Sequence, residues 1–264
     1  MSKWLEAAHK FEECRNPSDY FEAQGSIGAI EKIQTLLATA SPQLIFLLGE
    51  PGSGKSFLLY HLKYLWDKER DILLLETPFL TPLNLLKKLL NHKGIECKGD
   101  DIEALRTQVT EMYSAKKHLI MIDEAQLLTP ETKEFIRMLS DTKVFWFLLA
   151  MHQSEGKAIL RAPHFKSRPH QVINLSSLSV HECKNYLHRE LLRIGYSEII
   201  DEFNLKFIMK AHKISEGNFR NFKKIFYHLF NFLHYTNTYN KSKYLRPSSC
   251  TLTIAAMSAE LFND

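Results

Sequence analysis

Apolar residues gather along this chain in four short runs, at 44–48, 72–75, 119–122 and 144–151, and the mixed stretch 171–175 reads as a fifth, short strand. Runs of this length without polar alternation fit strands covered on both faces, as in a parallel sheet. Between them the apolar positions recur at helical spacing, predicting helices over 28–38, 57–66, 83–90, 101–113 and 129–140. Thr129 followed by Pro130 supplies an N-cap and a first-turn proline for the last of these. No helix is predicted between the fourth and fifth strands, where 161–168 reads as a basic loop. Strands alternating with helices at this rhythm mean βαβ units, so the fold class is α/β with a five-stranded parallel sheet and helices on both faces. Beyond about 176 the pattern is helical only, with helices expected over 179–193, 201–212, 218–235 and 252–262. The first opens on a capping box at Ser179-Val180-His181-Glu182. The expected division is therefore an α/β domain at 1–175 and an all-helical domain at 176–264. A short amphipathic helix carrying Trp4, Leu5, Ala8 and Phe11 precedes the α/β pattern.

The first strand runs directly into Gly49-Glu50-Pro51-Gly52-Ser53-Gly54-Lys55-Ser56, a full match to G-x-x-x-x-G-K-[ST], and then into the helix that starts with Phe57. Strand, glycine-rich loop and helix in that order is the context that phosphate binding requires. Glycines let successive backbone N–H groups crowd one anion, and the helix N-terminus adds its positive dipole end. Lys55 is placed to reach the β- and γ-phosphates, and the Ser56 hydroxyl to ligate Mg2+.

The third strand ends in Asp123-Glu124. Downstream of a phosphate loop, Asp123 suits support of the metal and Glu124 suits general-base activation of water. The fourth strand ends in His152-Gln153, and of these Gln153 is the candidate for sensing a γ-phosphate. Tyr20 and Phe21 fall where many nucleotide-binding ATPases carry residues that touch the base; aromatic packing under the sheet is the competing reading. In the helical part, Gly217 and Asn218 form a turn and cap that project Arg220 from the next helix. Phe222, Ile225, Phe226, Leu229, Phe230 and Leu233 follow at core-face spacing, which favours packing over base stacking.

A formal charge of +4 on 264 residues neither demands nor excludes a nucleic-acid partner. Cys14, Cys97, Cys183 and Cys250 are scattered without metal-ligand spacing, as expected of free thiols in a reducing compartment. The longest apolar run is eight residues, 144–151, against the roughly 20 a spanning helix needs. With acidic residues in its first segment and no apolar signal core, the chain is expected to be cytoplasmic.

With these parts in place the chain resembles the AAA+ ATPases of the P-loop NTPase class. More narrowly it resembles the ExeA type (general secretion pathway protein A), a group related to the MuB and TniB/TnsC transposition ATPases. The most telling residues are Ile122-Asp123-Glu124-Ala125-Gln126-Leu127-Leu128. The resemblance implies ATP and Mg2+ as cofactors, the helical part as a lid, and a homo-oligomer, ring or filament, assembled through the nucleotide sites. It implies Gln153 as first sensor, Arg168 as an arginine finger acting on a neighbouring subunit, and Arg220 as second sensor. The partner it implies belongs to a secretion, pilus or competence system, with a transposase and DNA as the alternative; a slowly hydrolysing scaffold is a third reading. His152 stands where the group carries glycine, a departure in the first-sensor region. Secretion-type members often continue into a membrane span and a peptidoglycan-binding module, neither of which occurs within these 264 residues.

Overall fold

The computed structural model describes residues 2–12, 16–76, 81–97, 99–114, 118–162 and 169–261. Arg168 and Cys14 lie outside the described residues. The chain divides into two compact units: Ser26–Pro51 with Lys55–Leu175, and Met1–Gly25 with Gly52–Gly54 and Ser176–Asp264.

The first unit is built on a five-stranded sheet in the order β2-β3-β4-β1-β5, from β1 (Leu44–Gly49), β2 (Ile72–Leu75), β3 (His118–Ile122), β4 (Phe145–His152) and β5 (His170–Asn174). Every pairing is parallel. All six residues of β1 and all five of β3 are buried, which is why, His118 apart, their sequences are continuously apolar rather than alternating. The edge strands are less covered, and Lys32 of α2 (Gln24–Thr39) caps the β5 edge by donating to Val172 O at 3.0 Å. The crossovers are α3 (Lys55–Trp66), α4 (Pro82–His92), α5 (Ile102–Tyr113) and α6 (Pro130–Asp141). Thr129 caps α6 as its sequence predicts, its hydroxyl accepting from Thr132 N at 3.2 Å. Parallel register sets Gly49 opposite His152 and Ile122 opposite Leu149, so the carboxyl ends of β1, β3 and β4 open on the same edge of the sheet.

One helix runs against the sequence reading. Residues Gln153–Arg161 form α7 directly after β4, with no side-chain cap and with Gly156 in mid-helix. That glycine hid the helix, because glycine costs about 1 kcal/mol relative to alanine in a helix interior. Its reason is packing: a Cβ at 156 would lie 2.3 Å from Leu48 Cδ2. Gly156→Ala is expected to destabilise the fold by about 1–3 kcal/mol, despite the better helix former, because strand and helix must separate. A denaturant titration with unchanged slope and a lowered midpoint reads this out; an unchanged or raised midpoint would contradict it.

The second unit is helical: α1 (Lys3–Lys10), α8 (Val180–Arg193), α9 (Leu205–Ser215), α10 (Phe219–Thr238) and α11 (Ser249–Ser258). The α8 capping box forms as expected. The aromatic stripe of α10 is core, with Phe222, Phe226 and Phe230 fully buried. Helix α1 packs on α10, with Trp4 stacked on Phe230 and Phe11 set among Tyr186, Phe226 and Phe230. α11 begins at Ser249 rather than near 252, because Ser248 and Thr251 form a reciprocal cap that lacks the usual Glu or Gln. Cys97, Cys183 and Cys250 are free thiols, and burial pushes Cys183 up to about 12. Among the described residues no helix is long and apolar enough to cross a membrane.

Candidate active site

The candidate site lies at the carboxyl ends of β1, β3 and β4. From β1 the chain enters the loop at Gly49, and Gly52 and Gly54 adopt φ of +79° and +95°, a region that side chains with a β-carbon rarely enter. Its chain neighbours apart, no atom of the described residues lies within 4 Å of where a Cβ on Gly54 would project. Lys55 and Ser56 open α3, and Phe57, half-buried, follows in its first turn. Lys55 is only 5 % exposed, and its ammonium donates to Gly49 O (2.9 Å) and Glu50 O (3.0 Å). Pro51 is exposed at the turn, and the Ser53 hydroxyl oxygen is shut off from solvent with no hydrogen-bond partner among the described residues. An orphaned hydroxyl in a loop of left-handed glycines, next to a buried ammonium, fits an anion that would satisfy it.

β3 delivers the acidic pair. The Ser56 hydroxyl hydrogen-bonds the Asp123 carboxylate, and Glu124 N–H donates to Asp123 Oδ1 at 3.0 Å. Burial holds Asp123 above the usual aspartate range, partly offset by these hydrogen bonds. A hydroxyl and a buried carboxylate in mutual contact form an all-oxygen donor pair of the kind Mg2+ prefers, and a divalent cation would compensate the buried charge. Glu124 takes a left-handed backbone, φ 48° and ψ 37°, with its carboxylate partly exposed. Its Oε2 accepts from Gln126 Nε2 and lies 3.6 Å from His152 Nε2.

Gln153 is the first residue of α7 rather than the last of β4. With its amide oriented to suit both neighbours, Nε2 donates to Glu50 Oε1 at 2.9 Å and Oε1 accepts from Lys157 Nζ at 3.0 Å. Glu50, Lys55, Ser56, Asp123, Glu124 and Gln153 are thus brought to one edge of the sheet. His152, which the sequence reading set aside in favour of Gln153, and Gln126, to which it gave no role, both approach the Glu124 carboxylate. The available signal was His152 itself, a polar residue at a strand tip where the resemblance expects glycine.

Two other candidates lie in the helical unit. Arg220 is exposed in the first turn of α10; its N–H donates to Gly52 O at 3.2 Å, and Gly52 packs so close to Asn218 that a Cβ would meet Asn218 Oδ1 at 2.5 Å. Arg189 of α8 donates to Tyr20 O (2.9 Å) and Asp19 O (3.0 Å), and its guanidinium lies 4.8 Å from the centre of the Phe21 ring. Phe21 also meets Tyr186 edge-on, so its described packing is on α8 rather than under the sheet.

Residues 38–160 match the family model described as "AAA domain". Over 186 residues the chain is 24% identical to general secretion pathway protein A of Aeromonas hydrophila, covering 66% of this chain and 34% of that protein. It therefore spans about a third of that relative's length. Among solved structures it is similar to Cdc6p from Pyrobaculum aerophilum, at TM-score 0.64 and 14% identity over 84% of this chain and 66% of that one. It is also similar to the RuvB Holliday junction branch migration motor of Thermotoga maritima, at TM-score 0.61 and 14% identity over 96% and 76%. The ORC2 protein of Aeropyrum pernix in its ADP form gives TM-score 0.61 and 14% identity over 94% and 72%. At these identities the solved structures bear on the fold alone, which is the AAA+ fold.

Proposed function

We propose that the chain, whose residues 38–160 match the AAA domain model, is an Mg-ATP-dependent ATPase that assembles through its nucleotide sites. The observation that carries this reading is the Ser56–Asp123 hydrogen bond beside a Glu124 carboxylate held by Gln126 and His152. The backbone from Gly49 to Phe57 cradles the phosphates, and Lys55 leaves its two carbonyls for the β- and γ-phosphate oxygens. Ser56 and Asp123 would hold Mg2+, which would supply positive charge against the charge developing in phosphoryl transfer. Glu124 orients water and takes its proton; His152 and Gln126 fix where that carboxylate points. Gln153, through Glu50, reports on the γ-phosphate end of the loop. Arg220 is the second sensor, and Tyr20 and Phe21 serve the base.

Arg168 completes the site of the next subunit, so hydrolysis and assembly are coupled in a ring or filament. Following the weak similarity to a general secretion pathway protein, the partner is a complex of the secretion, pilus or competence type. The test is a mixing experiment. Arg168→Ala protein is expected to be inactive alone and to regain ATPase activity when mixed with Lys55→Ala protein, whose arginine is intact. Such a finger contributes about 10³- to 10⁵-fold, so even partial rescue stands clear of background. Absence of rescue at every mixing ratio would remove the finger in trans.

A further inference from the structure

No acidic residue occurs between Glu216 and Glu260, whereas Arg220, Lys223, Lys224, Lys241, Lys243 and Arg246 all fall in that interval. These cations outnumber the net charge of +4 carried by the whole chain, so the rest of the protein is net acidic. The positive charge is thus concentrated on α10 and the segment that follows it. Most α10 aromatics are buried, but Tyr235 and Tyr239, one turn apart near its C-terminus, are 53% and 61% exposed. Their ring centres lie 4.6 Å apart, presenting two adjoining π-faces to solvent.

The segment after α10 is folded back beside these rings. Lys241 N donates to Thr236 O at 2.8 Å, Thr236 Oγ1 to Tyr244 O at 2.9 Å, and Asn237 Nδ2 to Leu245 O at 3.1 Å. Tyr244 meets Phe232 edge-on, with the Lys243 ammonium 5.5 Å from its ring centre. Lys241, Lys243 and Arg246 are exposed. An exposed aromatic pair flanked by pinned cations, with no carboxylate from the same tract to neutralise them, combines what a single strand needs: stacking surface for bases and positive charge for the backbone.

We propose that the C-terminal end of α10 and the 241–246 segment form a binding surface for single-stranded nucleic acid. Bases stack on Tyr235 and Tyr239 while Lys241, Lys243 and Arg246 meet phosphates. None of these residues is among those assigned to the nucleotide, and the proposal does not depend on the hydrolysis reading.

Fluorescence anisotropy with a labelled, unstructured single-stranded DNA oligonucleotide tests it on the full chain at several salt concentrations. Wild type is expected to bind, and more tightly than it binds a duplex of the same sequence. Tyr235→Ala/Tyr239→Ala should weaken single-strand affinity by about fivefold or more per ring with the salt slope unchanged, and Tyr235→Phe/Tyr239→Phe should restore it. Lys241→Gln/Lys243→Gln/Arg246→Gln should flatten the slope by about 2, near 0.7 for each phosphate that no longer meets a cation. Circular dichroism establishes whether each variant is folded; should the alanine pair unfold, the phenylalanine and glutamine variants still decide. No binding at low salt, equal binding of polyglutamate as competitor, or indifference to both the tyrosine and cation changes would overturn the proposal.

Discussion

Lys55→Ala is expected to abolish ATP binding, lowering affinity by at least about 10²-fold, while the protein remains folded. Two features set that size. The residue is nearly enclosed, so its interaction with a triphosphate is poorly screened by water, and hydrogen bonds between charged partners are the stronger kind. It is also already held at the loop, bound to Gly49 O and Glu50 O, so little side-chain entropy remains to be lost when phosphate replaces those acceptors. Stability should change little, because truncation removes a buried cation together with its desolvation cost. Titration of a fluorescent ATP analogue, paired with a thermal melt, separates the two effects. Undiminished affinity in a folded variant would overturn the assignment of the phosphate loop.

Glu124→Gln is expected to do the opposite: ATP affinity is retained and turnover falls by about 10²- to 10⁴-fold, the range for loss of a positioned general base. The exchange conserves shape. A glutamine oxygen still accepts from Gln126, and the left-handed backbone at 124 is undisturbed by a side-chain change beyond Cγ. What disappears is the charge facing His152 and the ability to accept a proton from water. Binding measurements beside a phosphate-release assay distinguish this from a merely damaged site, which would lose both. Equal hydrolysis by variant and wild type would exclude Glu124 as the base.

Much of the architecture was legible because the central strands are enclosed on both faces, leaving unbroken apolar runs such as 44–48 and 119–122. The glycine-lysine loop and the Asp123-Glu124 pair were legible for a related reason: each follows directly from a strand end, so sequence order carries spatial order. Three features were not. α7 was hidden by Gly156, a residue chosen by its contact with Leu48 and so by a neighbour more than 100 positions away. The start of α11 rests on Ser248 and Thr251, whose cap uses two hydroxyls in place of the more recognisable acidic partner. α1 shows its amphipathic stripe in sequence, yet its place against Phe226 and Phe230 depends on a helix some 200 residues later. His152 belongs with these, since its nearness to Glu124 arises from strand order rather than from any local pattern.

The left-handed turn at Glu124 has an evolutionary consequence. Holding a residue with a β-carbon in that conformation costs about 1–2 kcal/mol, and glycine would occupy it more comfortably. On the proposed reading of Glu124 as the base, a lineage selected for heat tolerance alone would drift toward glycine at this position and lose that base. Persistence of the carboxylate there would record continuing demand for turnover, and its replacement by glycine in a descendant would mark the point where that demand lapsed.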